Sequence, residues 1–121
     1  MANEKQSTVN FSVTKSGGLR VADTLSKIED LSGTDFYSKQ WTVTTSWTAI
    51  PLDALASFDL LMVRNTDSTN YVQIATANDG THIFAKLTAG RGLFLPADSS
   101  ATLYWRANTA SCVCSVVATE P

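Results

Sequence analysis

At 121 residues and a formal net charge of −2, the chain has the length of one domain, able to bury roughly two-thirds of its unfolded surface without a metal or disulfide staple. Charged residues make up 17% and hydrophobic ones 44%, a low charge content against a usual figure of about 25%, with Thr and Ser in its place. There is no basic stripe, so nucleic acid is not an expected partner, and no apolar run approaches the roughly 20 residues that span a membrane.

The first residues, MANEKQSTVN, are polar and lack the apolar core of a signal peptide, so the expected site of synthesis is a cytosol. Met1–Ser7 is expected to be a flexible tail, leaving 8–121 as a single domain. Thr8–Lys15 alternates Val9, Phe11 and Val13 with polar residues, the mark of a half-buried strand. Ser16-Gly17-Gly18 turns the chain, and Leu19–Val21 is short and strand-like. Asp23–Leu31 offers Leu25, Ile28 and Leu31 at helical spacing, but it is short and rich in Ser and Thr with Gly33 beyond. A strand is preferred there over a helix, in keeping with its surroundings.

Ser32–Phe36 is expected to turn. Lys39–Thr45 alternates again, with Trp41, Val43 and Thr45 on one side. Ser46–Leu52 contains Pro51, which cannot donate to a ladder, so that piece is an edge or a bend. Asp53–Ser57 has the makings of one helical turn. Phe58–Arg64 is apolar on both faces, as expected of a strand covered on both sides at the centre of the core. Two turn-forming stretches follow, Asn65–Asn70 and Asn78–Gly80, where Asn, Asp and Gly bond their own backbone or take left-handed conformations. Between and after them lie strands at Tyr71–Thr76, with Val72 and Ile74 inward, and at His82–Leu87, with Ile83, Ala85 and Leu87 inward. A glycine turn at Thr88–Gly92, a short strand at Leu93–Leu95 and a loop at Ala97–Ser100 come next. Ala101–Ala107 turns Leu103, Trp105 and Ala107 inward, and Ser111–Thr119 is the last strand. About eight to ten short strands with regular turn signals predict an all-β fold, an antiparallel β-sandwich of jelly-roll type.

Catalytic signatures are missing from the sequence: no G-x-S-x-G, H-E-x-x-H, P-loop or dinucleotide fingerprint occurs. Gly90-Arg91-Gly92 has no helix after it and reads as a turn. His82, the single histidine, has no nameable nucleophile or orienting partner. Cys112 and Cys114 share one face of a strand with Cα atoms about 6.5–7 Å apart, at or beyond the limit for a disulfide. They read as buried free thiols, and a CxC metal site would want further ligands. Asp67, Asp79 and Asp98 fall in turns, where Asp caps backbone. The chain is therefore read as non-enzymatic, with no cofactor and no metal. Tyr71, Phe84 and Tyr104 fall on the outward sides of long strands, with Gln73 and Arg106 among them. Exposed aromatics beside Arg are what protein interfaces favour, so these five are the candidate interface residues.

Three stretches carry a family resemblance: N-x-D-x-T-N-Y-V at Asn65–Val72, K-L-x-A-G-x at Lys86–Arg91, and L-Y-x-x-A-N-T-A at Leu103–Ala110, followed by the apolar strand Cys112–Ala118. With these, and with FSVTKSG and DLSG earlier in the chain, the sequence resembles small β-sandwich structural proteins of tailed-phage virions. Arg91 departs from the acidic residue usual after the K-L-x-A-G turn. The resemblance implies a virion protein that decorates or cements the capsid. It would bind the major capsid protein or other virion proteins and form a homo-oligomer, with a trimer as the expected number. A neck or tail accessory protein, or a carbohydrate-binding module using Trp47 and other exposed aromatics, is the alternative.

Overall fold

A computed structural model describes residues 4–30, 36–52, 59–96 and 102–119. They form ten strands and divide into two compact units, residues 1–34 and 35–121. The first unit is a hairpin of β1 (Glu4–Lys15) and β2 (Leu19–Asp30), paired in register along all twelve residues. Gly17 and Gly18 close it at φ of 97° and 88°, left-handed values that glycine adopts without steric cost. The Val9, Phe11 and Val13 alternation meets Leu25, Asp23 and Val21 across the ladder. The opposite face is polar apart from Ala22 and the exposed Ile28, and there the Thr24 hydroxyl donates to Asn10 Oδ1 at 2.9 Å.

The second unit holds two four-stranded antiparallel sheets. Its strands are β3 (Phe36–Val43), β4 (Thr48–Ala49), β5 (Leu60–Asn65), β6 (Val72–Ala75), β7 (Ile83–Leu87), β8 (Gly92–Pro96), β9 (Tyr104–Ala107) and β10 (Cys112–Thr119). One sheet runs β3-β10-β5-β8 and the other β4-β9-β6-β7. Pairing is nested: β3 with β10, β4 with β9, β5 with β8 and β6 with β7. Both sheets feed one core. Val43, Leu61, Val63, Cys114 and Val116 come from the first; Val72, Ile74, Leu87, Trp105 and Ala107 come from the second. Period-two burial explains β10, in which Cys112, Cys114, Val116 and Ala118 are sealed while the residues between them reach outward.

Among the described residues, one polar side chain lies in this core. Asn65 is fully buried and its amide donates to the carbonyls of Asn70 at 2.8 Å and Leu87 at 2.9 Å. Its Oδ1 accepts the backbone N–H of Asp67 at 3.0 Å. Asp67 in turn accepts the N–H groups of Thr69 and Asn70 at 2.9 and 2.6 Å. These bonds satisfy the buried amide, as a buried polar group requires, and fold the Asn65–Asn70 segment into the turn that delivers Tyr71 and β6.

The all-β expectation holds, and the strand preferred over a helix after Asp23 is part of a continuous β2. Residues 4–7, expected as tail, lie in β1, because Lys27–Asp30 give them cross-strand partners. The chain expected as one domain over 8–121 clusters into a hairpin unit and a sandwich unit. One expectation is corrected. β5 is interior to its sheet but buried on one face only: Leu61 and Val63 are sealed, whereas Met62 is 42% exposed. Its second apolar face exists because Met62 lies in a cross-strand row with Val117 and Phe94, side chains that shelter one another without a further layer. The turn expected at 32–36 falls mainly outside the described residues, as do the helical turn at 53–57 and the loop at 97–100.

Candidate interaction face on the outer sheet

The strands β9, β6 and β7 place three polar side chains side by side on the outer face of their sheet. Gln73 is the register partner of both Arg106 and Lys86, so the order across the strands is Arg106, Gln73, Lys86. Arg106 Nε donates to Gln73 Oε1 at 3.1 Å. The same guanidinium lies 5.0 Å from the ring centre of Trp47, and Lys86 Nζ lies 4.3 Å from that of Tyr71. Both distances are within cation–π range. The result is a continuous strip, Trp47–Arg106–Gln73–Lys86–Tyr71, in which cations and aromatic rings hold each other in place.

Local structure sets the ends of this strip. Asn108 anchors Tyr71: its Oδ1 accepts the Tyr71 N–H at 3.1 Å, and its own N–H donates to the Tyr71 carbonyl at 3.1 Å. At the other end the Asn78–Gly80 turn presses on Trp47. Gly80 has φ of 77°, and a Cβ there would come within 2.9 Å of Trp47 Nε1, so any larger residue would push the indole away. Asp79 holds that turn through the N–H and hydroxyl of Thr81, at 3.0 and 2.7 Å.

Phe84 is 49% exposed and Ile83 is 41% exposed. The ladder between β6 and β7 shifts register between Ile74 and Ala75. A bulge of this kind re-aims side chains, and here it turns Ile83 out of the inward position expected for it. Tyr104 is half-buried on β9, two residues before Arg106, with fully buried Ala75 as its cross-strand partner. The structure thus brings Gln73, Arg106 and Tyr71 into one patch, with Arg106 bonded to Gln73 and Tyr71 two residues before Gln73, and sets Phe84 and Tyr104 on the neighbouring strands β7 and β9. Trp47 and Lys86 also belong to it. Sequence alternation put Lys86 outward but gave no sign that it stacks on Tyr71. Trp47 precedes the two-residue strand β4, too short to show a period.

Other polar groups brace turns or lie in the core. The Thr81 hydroxyl stands 2.9 Å from His82 Nδ1 and donates to Asp79, so its one proton is committed to capping an exposed turn. Hydrogen bonds from Asn70 and Thr69 lower the Asp67 pKa, and those from the Thr81 hydroxyl and N–H lower that of Asp79. Burial raises the Cys112 thiol, with the Asp67 charge adding to it, and pushes Cys114 up to about 12, with Cys112 and Asp67 as smaller causes. Both cysteines are free and stay protonated at neutral pH, the unreactive form. Among the described residues no group of three or more His, Cys, Asp or Glu could hold a metal ion, and no helix is long and apolar enough to cross a membrane. No known family model matches the chain, and neither curated proteins nor solved structures contain a significant match.

Proposed function

We propose that this chain is a non-enzymatic structural protein of a tailed-phage virion, a self-associating sandwich that decorates or cements the assembled shell by binding the major capsid protein. The observation that carries the reading is the outer sheet face, where an ordered Trp–Arg–Gln–Lys–Tyr strip adjoins Phe84 and Ile83, each more than 40% exposed. Aromatics and Arg, fixed in advance beside exposed apolar side chains, are the composition of an interface anchor. The nested strand order supports the jelly-roll form of the sandwich, and the turn and strand patterns at Asn65–Val72, Lys86–Arg91 and Leu103–Ala110 support the virion assignment. The proposed assembly is a trimer, which matches the threefold sites of an icosahedral lattice.

The carbohydrate-binding alternative needs free aromatic faces on which sugar rings can stack. Trp47 and Tyr71 each already carry a cation against the ring, which favours the protein interface. Light scattering after size exclusion tests the reading. The wild-type chain should run at about three times its 13.0 kDa mass, and Phe84→Glu should lower that mass while leaving the β circular-dichroism signal intact. A wild-type monomer at the same concentration, or a Phe84→Glu protein of unchanged mass, would reject this face as the contact.

A further inference from the structure

The hairpin of β1 and β2 carries a second apolar surface. Phe11, Val13, Val21 and Leu25 are 60%, 50%, 64% and 66% exposed, and with Val9 they occupy one face, since Val9 pairs with Leu25 and Val13 with Val21. A two-stranded hairpin of this kind is marginal in water without something on its apolar face. The strip leaves a few hundred Å² of apolar side chain exposed, a size that marks an interaction site on a monomer.

The shape and charge of the strip select its occupant. Twelve residues per strand make a ribbon about 40 Å long and about 10 Å wide, a footprint fully covered by another ribbon of the same dimensions. Near its open end Lys5, Lys27 and Glu29 share this face, with Lys27 Nζ 2.9 Å from Glu29 Oε1. One charge lies inside the strip: Asp23, the cross-strand partner of Phe11. A second copy laid on with its twofold axis across the strands would oppose Asp23 to Asp23, a like-charge clash. With the axis along the strands, β1 lies over β2 of the other copy. Asp23 then faces Phe11, Val9 faces Leu25 and Val13 faces Val21. The positive edge of the Phe11 ring suits the carboxylate.

We propose that this hairpin face packs on the same face of a second copy, with the twofold axis along the strands and both turns at one end. The contact is separate from the sandwich face proposed above and does not depend on it. Two such ribbons, each presenting a face of about 40 by 10 Å, bury about 800 Å² in total, below the usual range of stable specific interfaces. The pairing is therefore weak between free chains and strengthened when many copies are held on one surface.

Mass measurements at high micromolar concentration on the full chain test this, using variants that separate the two contacts. With the sandwich contact removed by Phe84→Glu, the protein should still reach twice the chain mass, and adding Val21→Glu and Leu25→Glu should halve it. The same two hairpin substitutions should also lower the wild-type mass if the sandwich contact proves absent. Ser16→Cys, placed in the turn, should give a covalent dimer through a short bis-maleimide, because the axis along the strands brings the two turns together. The proposal is overturned if the hairpin substitutions leave every mass unchanged. It is equally overturned by a Phe84→Glu monomer whose hairpin amides resist hydrogen exchange, which would place the chain's own sandwich on the strip. Failure of Ser16→Cys to cross-link a protein that does dimerise would overturn the orientation.

Discussion

Replacing Asn65 with alanine should be among the most damaging single changes in the sandwich. The substitution removes two donated hydrogen bonds, to Asn70 and Leu87, and one accepted from Asp67. It leaves two carbonyls and one N–H with no side-chain partner at a site that is 0% exposed. At about 1 kcal/mol per lost bond, and more for a group left dry, the cost is about 3–4 kcal/mol. Native domains of this size hold about 5–15 kcal/mol in all. The melting temperature should fall by roughly 15–25 °C, and the urea midpoint should drop without a change in slope. Thr66→Val is the control. It removes the 2.7 Å bond from the Thr66 hydroxyl to the Val113 carbonyl, but at an exposed position, and should cost at most about 1 kcal/mol. If Asn65→Ala costs no more than Thr66→Val, the Asn65 bonds do not hold the turn and the reasoning fails.

Three further outcomes are expected. Leu61→Asp should prevent folding, since an unpaired buried carboxylate costs several kcal/mol, while Met62→Lys, on the outward face of the same strand, should shift the melting temperature only slightly; similar effects would contradict the one-sided burial of β5. Thiol titration with a chromogenic disulfide at pH 8 should find Cys112 and Cys114 unreactive in the native protein and both free once it is unfolded without reductant, and a Cys112–Cys114 bridge seen by mass spectrometry would contradict this. Asp67 and Asp79 have folded pKa values below the ordinary 3.8, so the stability they contribute is present above that pH and is lost as pH falls through their lowered values; Asp67→Asn with Asp79→Asn should flatten the acid limb of a melting-temperature profile, and an unchanged limb would assign it to other groups.

The fold was legible where one period dominates. In β10 the shared face of Cys112 and Cys114, read as buried thiols, gave the buried side that Val116 and Ala118 continue, and Val72 and Ile74 did the same for β6. Turn chemistry placed the Asn65–Asn70 and Asn78–Gly80 segments for the same local reasons that the structure displays. Long-range pairing hid the rest. Glu4–Ser7 looks like tail until Lys27–Asp30 are known to lie opposite, and Met62 looks like core until Val117 and Phe94 are seen beside it. Of the candidate face, the outward aromatics could be read from alternation. The stacking of Arg106 on Trp47 and of Lys86 on Tyr71 could not, because it depends on which strands lie next to one another. The bulge that exposes Ile83 is likewise a property of the β6–β7 pair.

The most direct test of the proposed role is quantitative mass spectrometry of gradient-purified virus particles from lysates of cells whose DNA encodes this chain. A shell-binding structural protein should co-purify with intact particles in many copies, in fixed ratio to the major capsid protein. Its absence from such particles, with the chain recovered only in the soluble fraction of the lysate, would contradict the virion role whatever the oligomeric state of the isolated protein.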